Sequence, residues 1–260
     1  MSEDANHLYA RTCLEHLGLK VQGVADEHAE SRADYIASDH ACSYIVEVKG
    51  PGEDEDFAEE LIAHGKATRI QPDARTNPLS RKIRKAAKQM RATPAPADAF
   101  HVIALVTGEI DTRLKASQYV ATLYGIENLF VLEGEELHGP TSCYYFTFSE
   151  FFELRDVEAA LILTPSPSIL CPNKFAHRSK EFTESGLYSS HRMRNEIVDP
   201  EAAEGTGKAF IANTDLDRHD EDGMLNFVQA KYSLASKPIV IRLQQIYQQI
   251  VIDKLPGATD

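Results

Sequence analysis

The apolar run Tyr44-Ile45-Val46 passes directly into Glu47-Val48-Lys49 and stops at Gly50-Pro51-Gly52. Glycine and proline end regular structure, so residues 43–49 are predicted to form a strand with an acid and a lysine at its end. Side chains alternate faces along a strand, so Glu47 and Lys49 point one way while Val46 and Val48 enter the opposite face. No other lysine in the chain has Asp or Glu two positions earlier. A second apolar run, Asp34-Tyr35-Ile36-Ala37, lies just upstream, and Ser38-Asp39-His40-Ala41 suits a hairpin between the two.

The surrounding pattern predicts a mixed sheet covered by helices. Residues 4–18 read as a helix stopped by Gly18, with Asn6, Ala10, Cys13, Leu14 and Leu17 on one face. Residues 19–24 and 32–37 read as strands. Residues 53–60 are acidic and read as a solvated loop or the start of an inserted helix. Asn77-Pro78 opens a helix running to about Ala92. Phe100 to Val106 is a strand, 112–124 a helix and 129–133 another strand. The order helix, three strands, helix, strand, helix, strand implies an α/β fold of mixed type, a central mixed sheet flanked by helices. Residues 144–163 leave their type open. The proline-rich stretch from Thr164 to Asn173 is taken as a boundary, dividing a first domain, 1–163, from a C-terminal extension or second small domain, 164–260. In that second part a strand is expected at 208–213, an acidic loop at 215–223, mixed elements at 224–235, and a helix within 238–252, from the spacing of Leu243, Ile246, Tyr247 and Ile250.

Composition narrows the function classes. At 43% hydrophobic residues, 260 residues can bury a substantial core, and no apolar stretch reaches the ~18 residues needed to cross a bilayer. The acidic start Met1-Ser2-Glu3-Asp4 lacks the basic and apolar regions of a signal peptide. The four cysteines are scattered, unlike a disulfide framework, which fits a reducing compartment. A cytoplasmic protein without membrane contact is therefore expected. The net charge of −13 opposes general coating of nucleic acid. It leaves room for a focused cleft in which a bound metal supplies positive charge.

Asp34 and Glu47 on neighbouring strands make an oxygen-rich pair suited to Mg²⁺ or Mn²⁺. Such an ion polarises a phosphoryl oxygen, and Lys49 beside it can orient water or neutralise charge developing on phosphorus. On these residues, Asp34 and Glu47-Val48-Lys49 in the helix–strand–strand–strand–helix–strand order, residues 4–133 resemble the PD-(D/E)XK, or restriction-endonuclease-like, nuclease superfamily. The chain departs from the family name at Ala33, where a proline would stand. The resemblance implies a Mg²⁺-dependent hydrolase in which Asp34 and Glu47 bind metal and Lys49 assists phosphodiester cleavage. It also implies a helix beside the metal offering Gln or Lys, here Gln89 first and Lys82 second. The glutamate that many members carry on the first helix is represented by Asn6, with Glu15 turned away.

Arg75, Arg81, Lys82, Arg84, Lys85, Lys88 and Arg91 form the most basic stretch, and Arg81, Lys82 and Lys85 are its candidate nucleic-acid contacts. The expected activity is an endonuclease acting on nucleic acid, DNA first, with homodimer formation left open. The alternative is a catalytically inactive nuclease-like fold serving as a binding module. Other signals point to less. Cys143, Cys171, His177 and His191 fit no standard zinc spacing. Gly205-Thr206-Gly207-Lys208 lacks the full phosphate-loop pattern. The acids at 215–222 do not follow a calcium loop.

Overall fold

The computed structural model of the protein describes residues 3–24, 32–50, 66–72, 75–108, 112–165, 167–241 and 247–253. The expected acidic stretch at 53–60 lies outside them. At the centre is a six-stranded mixed sheet. Its strands, from one edge to the other, are β1 (Lys20–Gly23), β2 (Tyr35–Ser38), β3 (Ser43–Lys49), β5 (Phe100–Val106), β8 (Ala159–Leu163) and β9 (Ile169–Pro172). β3, β5 and β8 run parallel, and the flanking pairs are antiparallel. A parallel core of this kind has both faces covered, so its strands are apolar throughout. β8, Ala-Ala-Leu-Ile-Leu, is buried at every position.

Alternation along these strands divides the core into two layers. Ile45, Ile103, Leu105, Ala160 and Ile162 face two helices, α2 (Asn77–Arg91) and α3 (Thr112–Tyr124). Tyr44, Val46, Val48, Val102, Ala104 and Leu161 face α1 (Glu3–His16), through Ala10 and Leu14, and the later segment carrying Phe182 and Leu187. α1 ends as expected, with Gly18 taking a φ of +84° that disfavours other residues. At the start of α2, Thr76 rather than Asn77 caps the helix, its Oγ1 accepting from Leu79 N at 3.4 Å, and Pro78 sits in the first turn.

Three expectations are corrected. The strand near 129–133, β6 (Glu127–Glu133), is not part of the central sheet. It forms a hairpin with β7 (Glu136–Tyr144) in a separate four-stranded sheet of order β10-β7-β6-β11, where β10 is Ala209–Ile211 and β11 is Ile239–Val240. β6 is buried only at alternate central positions, whereas β8 is apolar on both faces, so β8 takes the interior place beside β5. The stretch after Leu163 does not leave the sheet. It turns back as β9, so the 163/164 boundary falls inside a β-hairpin of the central sheet. Finally, the helix expected within 238–252 is replaced by β11 and by β12 (Tyr247–Asp253), which pairs antiparallel over seven residues with β4 (Lys66–Pro72). Non-local pairing of a β-branched run overrides its helical spacing here.

The remaining helices among the described residues are α4 (Glu150–Glu153), α5 (Ser179–Phe182), α6 (Gly186–Met193), α7 (Pro200–Gly205) and α8 (Glu221–Tyr232). α8 covers the small sheet through Met224, Leu225 and Val228. Of the acids before it, Asp220 serves that helix, its Oδ1 accepting from Gly223 N as the cap, while Asp217 Oδ1 accepts from His219 N. Among the described residues no helix is long and apolar enough to cross a membrane.

Candidate functional site

The β2–β3 hairpin sets the site. Its register pairs Tyr35 with Val46 and Ile36 with Ile45, so one step further Asp34 stands opposite Glu47 at the open end of the strands. Asp34 Oδ2 accepts from Val48 N at 2.7 Å, which anchors its carboxylate against β3. Glu47 is 1% exposed, although it lies at the carboxyl end of β3. Lys49 Nζ donates to Glu47 Oε1 and, at 2.9 Å, to Gln89 Oε1. Glu47 Oε2 is buried and accepts from no donor among the described residues, its polar neighbour being the Asp34 carboxylate. Burial first, and then the adjacent Asp34 carboxylate, push Glu47 up to about 8, against the pull of Lys49.

α2 supplies the wall opposite. Its apolar stripe, Leu79, Ile83, Ala86 and Met90, is buried against the sheet, and Lys82 and Gln89 flank that stripe toward β3. Gln89 Nε2 donates to Arg32 O at 3.3 Å, so one amide joins the lysine to the chain leading into Asp34. Thr93, just past the helix, accepts from Ala33 N at 2.6 Å and fastens the same segment. Lys82 Nζ donates to Gly50 O at 3.2 Å, and burial together with Lys49 lowers its pKa below the usual lysine range. Asp34, Glu47, Lys49, Lys82 and Gln89, drawn from three separate elements, thus meet at one strand end.

Arg81 and Lys85 do not reach that point. They are exposed, with Lys88, on the α2 face next to Lys82, and no acid among the described residues pairs with them. The opposite flank of the helix is neutralised. Arg84 Nε donates to Glu150 Oε2 at 2.6 Å and Arg75 Nη2 to Glu150 Oε1 at 3.2 Å, while Arg91 pairs with Asp156. The basic stretch read from the sequence is therefore two faces, one spent on structure and one open.

Two site neighbours come from α1. His7, not singled out in the sequence, has Nε2 3.7 Å from Asp34 Oδ1. No periodic signal distinguishes it, because it lies beside the apolar stripe rather than on it. Asn6 is buried on the inward face, as its spacing predicts, and Glu15 is paired with Arg11 at the exposed surface, 2.9 Å away. Among the described residues no three His, Cys, Asp or Glu side chains converge as a ready metal cage. A divalent ion of the magnesium class needs fewer, since it keeps several waters and is held by one or two carboxylates. Two adjacent carboxylates, one with a bare buried oxygen, fit that demand. The thiols of Cys143 and Cys171 are buried in apolar surroundings, and His191 bonds Ser168 Oγ at 3.1 Å inside the fold.

Comparison of the chain with protein-family models, with curated proteins and with solved structures gives no match.

Proposed function

We propose that the protein is a metal-dependent nuclease of the PD-(D/E)XK type, hydrolysing phosphodiester bonds of nucleic acid and, by preference, DNA. The observation that carries this reading is the buried Glu47 carboxylate with one oxygen on Lys49 and the other bare, beside Asp34. Ionised, an acid in this state is costly unless something cationic completes it, and without that cation it keeps its proton. Asp34 and Glu47 would hold Mg²⁺ or Mn²⁺, which when bound lowers the pKa of water and withdraws charge from the phosphoryl oxygens. Lys49 is tethered by Gln89, which keeps its ammonium at the strand end, where it can orient the attacking water and balance charge gathering on phosphorus. Lys82 adds positive charge at the rim. The open face of Arg81, Lys85 and Lys88 offers phosphate contacts that lead to that rim, local enough to act within an acidic protein.

The test is direct. Purified protein incubated with Mg²⁺ or Mn²⁺ is expected to cut DNA, and Lys49→Ala to abolish cutting while keeping the fold. If wild-type protein cuts no DNA or RNA of any form, the nuclease reading is wrong. Binding without cutting would then support the module reading, which the small number of acidic ligands favours.

A further inference from the structure

A second incompletely paired acid lies at the other end of the parallel strands from Lys49. Glu158 stands just before Ala159, where β8 begins, and is 4% exposed. Its Oε2 accepts from His101 N at 2.7 Å. Among the described residues no side chain donates to its other oxygen and no cation pairs with it. Arg178, whose charge reaches it, is engaged elsewhere: Nη1 donates to Ala99 O at 3.2 Å, and the guanidinium lies 4.2 Å from the centre of the Phe100 ring. Glu158 instead borders a cavity of about 240 Å³ beside the end of β9. Much of the wall is apolar, with Tyr145, Phe182, Tyr188, Ile197, Val198 and Pro200 in it. Tyr145 is 1% exposed and held at a φ of +61°, strained for a bulky residue, and its hydroxyl has no hydrogen-bond partner among the described residues. The other charged members of the lining are Lys174, Lys180, Asp199 and Glu201. Lys174 Nζ is bound to Glu201 Oε1, and Asp199 Oδ1 caps α7 by accepting from Ala202 N at 2.9 Å.

A carboxyl buried without a counter-ion either keeps its proton or is completed by a cation. Burial raises Glu158 to about 7, so both states lie within reach near neutrality. With Glu158 ionised, three acids face two lysines around the cavity, a balance that favours a positively charged occupant. A metal ion needs several oxygen ligands, whereas here one buried carboxyl stands among apolar walls. The volume lies below the ~300–1,000 Å³ of sites for drug-sized ligands, which limits the occupant to a small molecule. We propose that the cavity is a binding site for a small organic cation, an ammonium or amidinium group on a compact apolar or aromatic body, with the charged group on the unshared oxygen of Glu158 and the body against Phe182 and Tyr188. The aromatic faces suit such a cation, and the free Tyr145 hydroxyl is available to accept a further N–H. The site is separate from Asp34 and Glu47 and does not depend on the nuclease reading.

The experiment is titration of benzylamine, with benzyl alcohol as its neutral counterpart, into the isotopically labelled full chain, followed by NMR of the backbone amides. Benzylamine is expected to give saturable shifts around Thr183, Tyr188 and Val198, and benzyl alcohol to bind about tenfold more weakly. Benzylamine binding is expected to be about tenfold weaker at pH 6 than at pH 8, because the cation selects the ionised form of a group that titrates near 7. Of the titratable neighbours, Asp156 is held below its ordinary value by Arg91 against its own burial, and His101 is lowered by burial, which leaves that window to Glu158. The remaining charges around it are Arg178 and the four side chains of the lining. Glu158→Gln keeps an acceptor for His101 N and is expected to lose both the preference for the amine and the pH dependence. Equal affinity for amine and alcohol, or Glu158→Gln binding as wild type does, overturns the proposal. So does the absence of any saturable shift, and so do shifts centred on Asp34 to Lys49, which would mean that the amine follows acidity alone. Should Glu158→Gln fail to fold by circular dichroism, the amine against the alcohol and the pH profile of the wild-type chain decide the matter.

Discussion

Two buried glutamates face the same helix and are treated in opposite ways. Glu150, wholly buried at the start of α4, has both oxygens satisfied by Ser80, Arg84 and Arg75 around one flank of α2. Glu47, equally inaccessible, meets the other flank with one lysine, one bare oxygen and a second carboxylate for a neighbour. The first arrangement is complete and ties α2 to α4. The second is incomplete, and Asp34 and Lys82 make it more so by placing like charges beside Glu47 and Lys49. Burial of a carboxylate therefore does not by itself mark a site; unsatisfied burial beside a like charge is what makes Glu47 the candidate.

The sharpest way to break this contrast is activity. Glu47→Gln and Lys49→Ala are expected to lose at least about 10²–10³-fold in metal-dependent cleavage. Glu150→Gln is expected to stay within a few-fold of wild type per folded molecule, measured as initial rates on plasmid DNA. A large loss in Glu150→Gln would erase the distinction.

Stability should order the pair the other way. Glu150→Ala strands Arg75 and Arg84 and is expected to cost about 3–5 kcal/mol in urea unfolding. Removing Glu47 relieves an unsatisfied group, so Glu47→Gln is expected to match or exceed wild type. Glu150→Ala as stable as the parent would show that its ion pairs only break even.

The pH dependence sharpens the point. In the unfolded chain Glu47 ionises near 4.5, but in the fold it holds its proton to about 8. The folded state therefore binds more protons between those values, and its stability falls as pH rises through that window and levels off above it. Glu158, raised by burial to about 7, contributes in the same direction over a shorter range. Glu47→Gln is expected to gain on the order of a few kcal/mol over wild type at pH 8 and almost nothing at pH 4. Equal curves for the two proteins would mean that Glu47 is not held neutral. Mn²⁺ binding at pH 7 should release close to one proton, read from calorimetry in buffers of different ionisation heat.

The smallest effect concerns the two flanks of α2. Neutralising Arg81, Lys85 and Lys88 together is expected to weaken DNA binding and to lower the salt slope by up to about one unit for each phosphate no longer neutralised. Neutralising Arg91, which is engaged with Asp156, should leave that slope unchanged. Equal effects would mean that both flanks meet the substrate.

The sequence alone determined the elements that make the site. The alternation of Tyr44 to Lys49 put Glu47 and Lys49 on one face, and the stripe of Leu79, Ile83, Ala86 and Met90 put Lys82 and Gln89 together on one flank of α2. These are local periodicities, and the core respects them because burial of apolar faces drives both. What only the tertiary structure decided is pairing across distance. It set the register that faces Asp34 to Glu47, the choice of β8 over β6 as the neighbour of β5, and the pairing of β12 with β4 against its helical spacing. It also brought α1 to the site, so that Asn6 and His7 stand there although nothing in their own neighbourhood in the chain requires it. Such placements depend on which distant surfaces complement one another, and a periodic pattern carries no information about its partner.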